Sequence, residues 1–396
     1  MARVFPTLCL AGALLGLASS AHAQDPACTS LPRPVIGVGG SASTPLLKRI
    51  GTQLAGAASP ITVIYQSPGA CFAITHYVDG TPITGNATYW DAAGAQHTCT
   101  LGAVGVRPDF GMAGNGATLC NGVTSVPSGI GDFAGPVTSW SVIVPVDSTQ
   151  QSIAAEALYF IYGFGGAAGG VAPWNDDAFV FGRNATSAAQ IELGLAIGVP
   201  AASFHAIDTS SNQGTVNALH AATDPEASIG FTSTEVVDAN PTLVRTLAYQ
   251  HYDQSCGYWP SSTATAFDRR NVRDGHYYLW SQYHFFAPVD GTGAISDADT
   301  AELIGYFTGD ATPPAGVNVL QQTILNGNIP QCAMTVWRDT DIGPLYSFVP
   351  PFSCGCYFEE VATGSAPATC TPCSSSTDCA GTPSTPFCHY GYCEVS

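Results

Sequence analysis

Short apolar runs alternate with segments of helical period along most of this chain, and that alternation is what most restricts its fold. Runs at 34–38, 61–65, 140–146, 178–181, 228–232, 243–250 and 277–286 read as strands. Segments 44–54, 152–162, 186–197, 214–221, 298–307 and 317–325 read as helices. In 152–162, Ile153, Ala157, Phe160 and Ile161 fall on one face, as a packed surface helix requires. Strands reached through helices pair side by side in parallel. The pattern therefore predicts an α/β fold with largely parallel sheets covered by helices.

Both ends depart from this pattern. Arg3, an apolar stretch over 8–18 and Ala21-His22-Ala23 make a secretory signal peptide over 1–23. Cys9 sits within the apolar core of that leader and not at its end, which argues against a lipoprotein anchor. The most apolar later stretch, 153–172, holds Glu156 and several glycines and does not read as a membrane span. From Ala362 the text turns to Ser, Thr, Pro, Gly and Cys, with Cys370, Cys373, Cys379, Cys388 and Cys393. Behind a Gly364-Ser365-Ala366-Pro367 linker, this reads as a small disulfide module over 362–396. Zinc does not suit Cys370-x-x-Cys373, because no second such pair and no histidine pair follow it. Of 14 cysteines, one (Cys9) is in the leader, so the exported chain keeps an odd number. One is free, partnered elsewhere or buried.

Charge narrows the function. Lys+Arg number 11 against 29 Asp+Glu, a formal net charge of −18, which repels nucleic acid and anionic membranes. A small anion responds to a local field and is not excluded. The 396 residues are enough for two domains with real cores. No G-x-S-x-G elbow, H-E-x-x-H or P-loop lysine motif is present. His276 and His284 share a face if both lie on one strand, and Asp339 and Asp341 sit two apart; a structural pair and a solvated turn describe them. Tyr258, Trp259, Tyr277, Tyr278, Trp280 and Tyr283 flank Arg269, Arg270 and Arg273, either as strand packing with charge compensation or as an aromatic and basic patch. No catalytic residue, metal ligand or cofactor is expected.

The chemistry lies at strand-to-helix junctions. In PVIGVGGSASTPLLKRI, Gly39 and Gly40 permit a tight turn, and Ser41, Ser43 or Thr44 can cap the helix that follows. Unpaired N–H groups at such a terminus, with the positive end of the helix dipole, suit an anion. FVFGRNATSAAQIELGLAIG repeats the arrangement: Arg183 adds a planar fork, and Thr186 and Ser187 add hydroxyls. IDTSSNQGTVNAL places Ser210, Ser211 and Asn212 before a third helix. Two domains facing each other with these ends across a cleft would enclose a small oxyanion.

With these pieces in order, the chain resembles the phosphate-type periplasmic solute-binding proteins of the type 2 fold, from about Pro34 to Phe286 and more weakly to Val349. Matching pieces are VIGVGGSASTPLL, VIYQSPGACFA, VRPDFGMAGNGA, WSVIVPVDS, GRNATSAAQ and TVNALHAATDPEASIGFTS. The resemblance implies two α/β lobes, 34–139 with 274–349 and 140–273, closing on a ligand without catalysis. It implies Ser41, Arg183 and Ser187 as ligand contacts. The family pattern's serine is Ala70 here, its serine and aspartate are Ala113 and Gly114, and its glycine and threonine are Ala188 and Ala189. The missing aspartate would have accepted a proton from bound phosphate. Each lost hydrogen bond to a charged ligand costs about 1.5–3 kcal/mol. The expectation is an exported binder of a small oxyanion, periplasmic or at the cell surface, with a transporter or envelope partner. The alternatives are an interaction or adhesion protein reusing the fold, and, less favoured, a secreted hydrolase.

Overall fold

The computed structural model describes residues 25–382 and 384–395; the leader expected over 1–23 lies outside them. Strand β1 (Pro34–Gly39) leads into helix α1 (Thr44–Ala55) and then β2 (Thr62–Gln66), which lies parallel to β1. Leu46, Leu47, Ile50 and Leu54 recur at helical spacing on α1 and are fully buried against Val35 and Val63. Each such side chain contributes about 1.5–3 kcal/mol by leaving water. Helix α2 (Phe72–Asp79), the hairpin β3 (Asn86–Trp90)–β4 (Gln96–Thr100) and β5 (Phe110–Ala113) follow; β5 returns parallel to β1 on its other side.

Strand β6 (Ile130–Pro145) then carries the chain out of this first lobe. The second lobe contains β7 (Ser152–Ala154), α3 (Ala155–Phe164), α4 (Gly166–Gly169), β8 (Phe181–Gly182), α5 (Ala188–Ile197) and β9 (Ile207–Asp208). It continues through α6 (Asn212–His220), β10 (Gly230–Ser233), α7 (Thr234–Asp238), β11 (Val244–Thr246), β12 (Ala248–Gln250) and α8 (Arg270–Arg273). Strand β13 (Trp280–Pro288) brings the chain back, antiparallel to the first half of β6, before α9 (Ala298–Thr308), α10 (Val319–Leu325) and α11 (Gly355–Thr363). The large sheet reads β10-β6-β13-β5-β1-β2-β3-β4, with β11 also on β6. Its two lobes are thus joined by adjacent strands, β6 outward and β13 back.

The sheet is mixed and not largely parallel. Only β1–β2 and β1–β5 within it are parallel; the hairpin and the paired crossover strands make the rest antiparallel. Segment 152–162 begins as a strand, Ser152–Ala154 pairing with Ala248–Gln250, and its helix buries Leu158, Ile161 and Tyr162 while Phe160 stays 46% exposed. His276 precedes β13, so it does not share a strand with His284; each pairs with its own aspartate, Asp274 and Asp132. The arginine cluster is packing and not a patch. Arg269 is fully buried against Asp238 and the Gly327 carbonyl, and Arg273 binds Glu359 and lies over the Phe358 ring.

Six disulfides close among the described residues, and Cys256 is left as an exposed free thiol. Cys373–Cys388 and Cys379–Cys393 lie within the tail, but Cys370 pairs with Cys356 of α11. The tail is therefore bolted to the body, and the Glu394 carboxylate reinforces the bolt by accepting the Cys356 N–H at 2.7 Å. The sulfurs of Cys373, Cys379 and Cys393 cluster, yet each is in a disulfide and none is a thiolate ligand. No helix among the described residues is long and apolar enough to cross a membrane.

Candidate functional site

The first wall of the site grows from the end of β1. A Cβ at Gly39 would meet the Met112 carbonyl oxygen at 1.9 Å, so only glycine lets β1 and β5 approach here. The chain then makes a 3-10 turn, Ser41–Ser43, that runs straight into α1. Gly40, ahead of the turn, offers no side chain to cap it. The Ser43 N–H is taken by the Gly40 carbonyl, while those of Ser41 and Ala42 find no acceptor among the described residues. Ala70, just before α2, adds a third unpaired N–H to this wall.

The opposite wall comes from the end of β8. Ser187 ends the loop and precedes α5 without capping it through its side chain, which leaves the Ala188 and Ala189 N–H groups unpaired. Arg183 is 8% exposed, and no carboxylate lies in ion-pair contact with it among the described residues. Its Nη1 donates to Asn212 Oδ1 and its Nη2 to the Ser210 carbonyl at 3.2 Å, while Nε has no partner. Asn212, the first residue of α6, is itself fixed by donating to Ser233 Oγ at 3.1 Å. Burial lowers the Arg183 pKa to about 10, with the Asp208 charge opposing. A buried cation held only by neutral oxygens is an unpaid electrostatic cost that an anion would relieve.

Both walls meet on one cavity of about 30 Å³, room for a group of a few heavy atoms. Ser41, Ser43, Arg183 and Ser187 line it together. Ser43 is fully buried, however, and its hydroxyl faces the phenols of Tyr65 and Tyr283. Thr44 and Thr186 do not line the cavity: Thr44 is already inside α1, and the Thr186 hydroxyl donates to Asn184 Oδ1 at 2.7 Å. Ala70, Gly114, Ala188 and Ala189 are on the wall, so the missing hydroxyls and carboxylate of Ala70, Gly114 and Ala189 are felt there; Ala113 is not. Trp140 and Asn212 also line it. Asn212 was signalled by its strand-to-helix junction, whereas nothing in the local sequence marks Trp140, which reaches the cavity because β6 crosses between the lobes.

Two buried acids stand off this wall. Burial and the neighbouring Asp341 charge drive the Glu192 carboxyl well above the carboxylate range. Asp341 accepts the Gly116 N–H at 2.6 Å, and Asp339 accepts the Tyr346 hydroxyl at 2.8 Å, so the two aspartates do not act as a pair. Burial pushes Glu235 on α7 up to about 7 from its ordinary 4.5. The folded state then holds a proton that the unfolded chain has lost, so stability falls as pH rises from 4.5 to about 7. Glu235→Gln is expected to remove that slope and to leave the protein more stable above that window by roughly 3 kcal/mol. Urea unfolding of both proteins across the window checks this; parallel curves would refute it.

No protein family matches the chain by sequence profile, and no curated protein matches it by sequence. Solved structures do match. A Clostridium perfringens protein designated a phosphate ABC transporter substrate-binding protein, solved with phosphate bound, superposes with a TM-score of 0.50 at 11% identity, covering 75% of this chain and 98% of its own. An ABC-type phosphate transport receptor from Vibrio cholerae gives 0.46 at 15% identity, over 74% and 99%. A high affinity periplasmic phosphate-binding protein with phosphate bound gives 0.43 at 13%, over 75% and 90%. At 11% identity the first shows a shared fold and leaves the ligand open.

Proposed function

We propose that this chain, whose fold is the two-lobed type 2 periplasmic binding protein fold, is an exported solute-binding protein that takes a small oxyanion between its lobes. The lobes are 34–139 with 274–349, and 140–273, with the tail over 362–396 as an attached module. The observation that carries the reading is Arg183: a buried guanidinium with no acid partner, facing the same small cavity as the unpaired N–H groups of two helix ends. Phosphate is one candidate ligand, and hand-over to a membrane transporter is the role such a binder serves. The reading assigns no catalysis. Phe352, Phe387 and Tyr390, 65%, 44% and 49% exposed around the tail, favour a second role for that module as a contact surface in the envelope.

Titration calorimetry and thermal unfolding with phosphate, sulfate, molybdate and small organic acids test this. Saturable binding of an oxyanion and a raised melting temperature are expected, since the ligand relieves the cost of the buried cation. Arg183 is charged below about 10, so affinity holds through neutral pH and falls as pH rises through that value. Absence of binding or stabilisation by every anion would overturn the proposal.

A further inference from the structure

The cavity wall presents unpaired donors and no carboxylate, and this sets the class of anion. Five carbonyls on its wall are engaged within the protein. Gly40 O accepts from Ser43 N and Tyr65 Oη, Gly69 O from Phe72 N, and Ala70 O from Ala73 N. Gly114 O accepts the Ser281 hydroxyl at 2.6 Å, and Ser187 O accepts Gln190 N and Ile191 N. Both amide oxygens on the wall are taken, Asn184 Oδ1 by Thr186 and Asn212 Oδ1 by Arg183. No carboxylate or imidazole lines the cavity. At Gly114 there is no room for one without movement: a Cβ there would meet Trp140 Cζ2 at 2.9 Å. Against this, the N–H groups of Ser41, Ala42, Ala70, Ala188 and Ala189 and Arg183 Nε all lack acceptors among the described residues.

An oxyanion that carries a proton must bury an acidic O–H, and that O–H needs an acceptor. The hydroxyls of Ser41, Ser43, Ser67, Ser187 and Ser210 are neutral and make weaker partners for it than a carboxylate would. A fully ionised oxyanion has only acceptors and matches a wall of donors. We infer that the ligand is a fully ionised oxyanion of the sulfate class, and that phosphate is held only to the extent that it has shed its protons; this rests on the oxyanion reading proposed above.

The test is calorimetric titration of the full exported chain with sodium sulfate and with sodium phosphate at about pH 5 and about pH 8, which bracket the second ionisation of a phosphate group. The ratio of the two affinities at each pH removes any pH effect on the protein itself. Sulfate is expected to bind roughly a hundredfold or more tightly than phosphate at the acid pH, where phosphate carries two O–H groups, each an unmatched charged hydrogen bond worth about tenfold. The ratio should narrow at the alkaline pH. Phosphate binding more tightly than sulfate at the acid pH, or a ratio that does not change, overturns the inference while leaving the oxyanion reading intact. If neither anion binds at either pH, the oxyanion reading fails and takes this inference with it.

Discussion

Arg183→Met is expected to abolish oxyanion binding while leaving the empty protein close to its original stability. Among the described residues, Arg183 is the only cation on the cavity wall. Two charge-assisted bonds from its fork to a ligand, at about 1.5–3 kcal/mol each, make the loss roughly 10²- to 10⁴-fold in affinity. The empty protein loses little, because the guanidinium is desolvated without an ion pair and an apolar replacement of similar length removes that cost. Against this gain, Asn212 Oδ1 and the Ser210 carbonyl lose their donor, at about 1 kcal/mol. The melting temperature without ligand should therefore change little, and the upward shift on adding anion should vanish. Arg183→Lys keeps the charge but not the planar fork, and is expected to fall between the parent and the methionine variant. Should the methionine variant still bind anion within about threefold of the parent, this cavity is not the site.

The sequence disclosed those parts of the fold whose signals are local. Segment 44–54 is α1 to within a residue at its end, and 34–38 is β1, because four core leucine and isoleucine positions and a glycine turn mark them without help from distant residues. The hairpin partner Gln96–Thr100 escaped because QHTCT is polar and largely exposed, an edge strand with no apolar alternation to read. The first ten residues of β6 escaped because Gly131, Gly135 and Pro136 interrupt them; those breaks are tolerated only because β13 pairs alongside. At the site, the Ser41 and Arg183 junctions were legible as donors before helices. Their meeting was not, since it depends on β6 and β13 folding the second lobe over the first. The same limit applies to the tail: an odd number of cysteines showed that something was unpaired, but only the placement of α11 beside the tail selects Cys356 as the partner of Cys370.

The cavity also depends on a covalent brace, and removing that brace is the second large effect expected. Cys71 follows Ala70 on one wall, and Cys120 ends the turn that follows Gly114 and Gly116 on the neighbouring segment. Their disulfide spans 49 residues and encloses α2, β3, β4 and β5. A loop of that length removes about 4 kcal/mol of chain entropy from the unfolded state. Because both sulfurs are nearly fully buried, no solvent contact compensates for their loss. Cys71→Ala with Cys120→Ala is therefore expected to lower unfolding stability by about 3–4 kcal/mol. It should also weaken anion binding by roughly tenfold, as the Ala70 N–H drifts from its position. The contrast lies in the tail. Cys373 and Cys388 close a loop of 15 residues that shares no residue with the cavity. Replacing that pair by alanine should loosen the tail yet leave anion affinity unchanged. Denaturant unfolding and calorimetry on the two double variants separate these effects. Equal anion affinities would show that the Cys71–Cys120 bond braces the lobe and not the cavity.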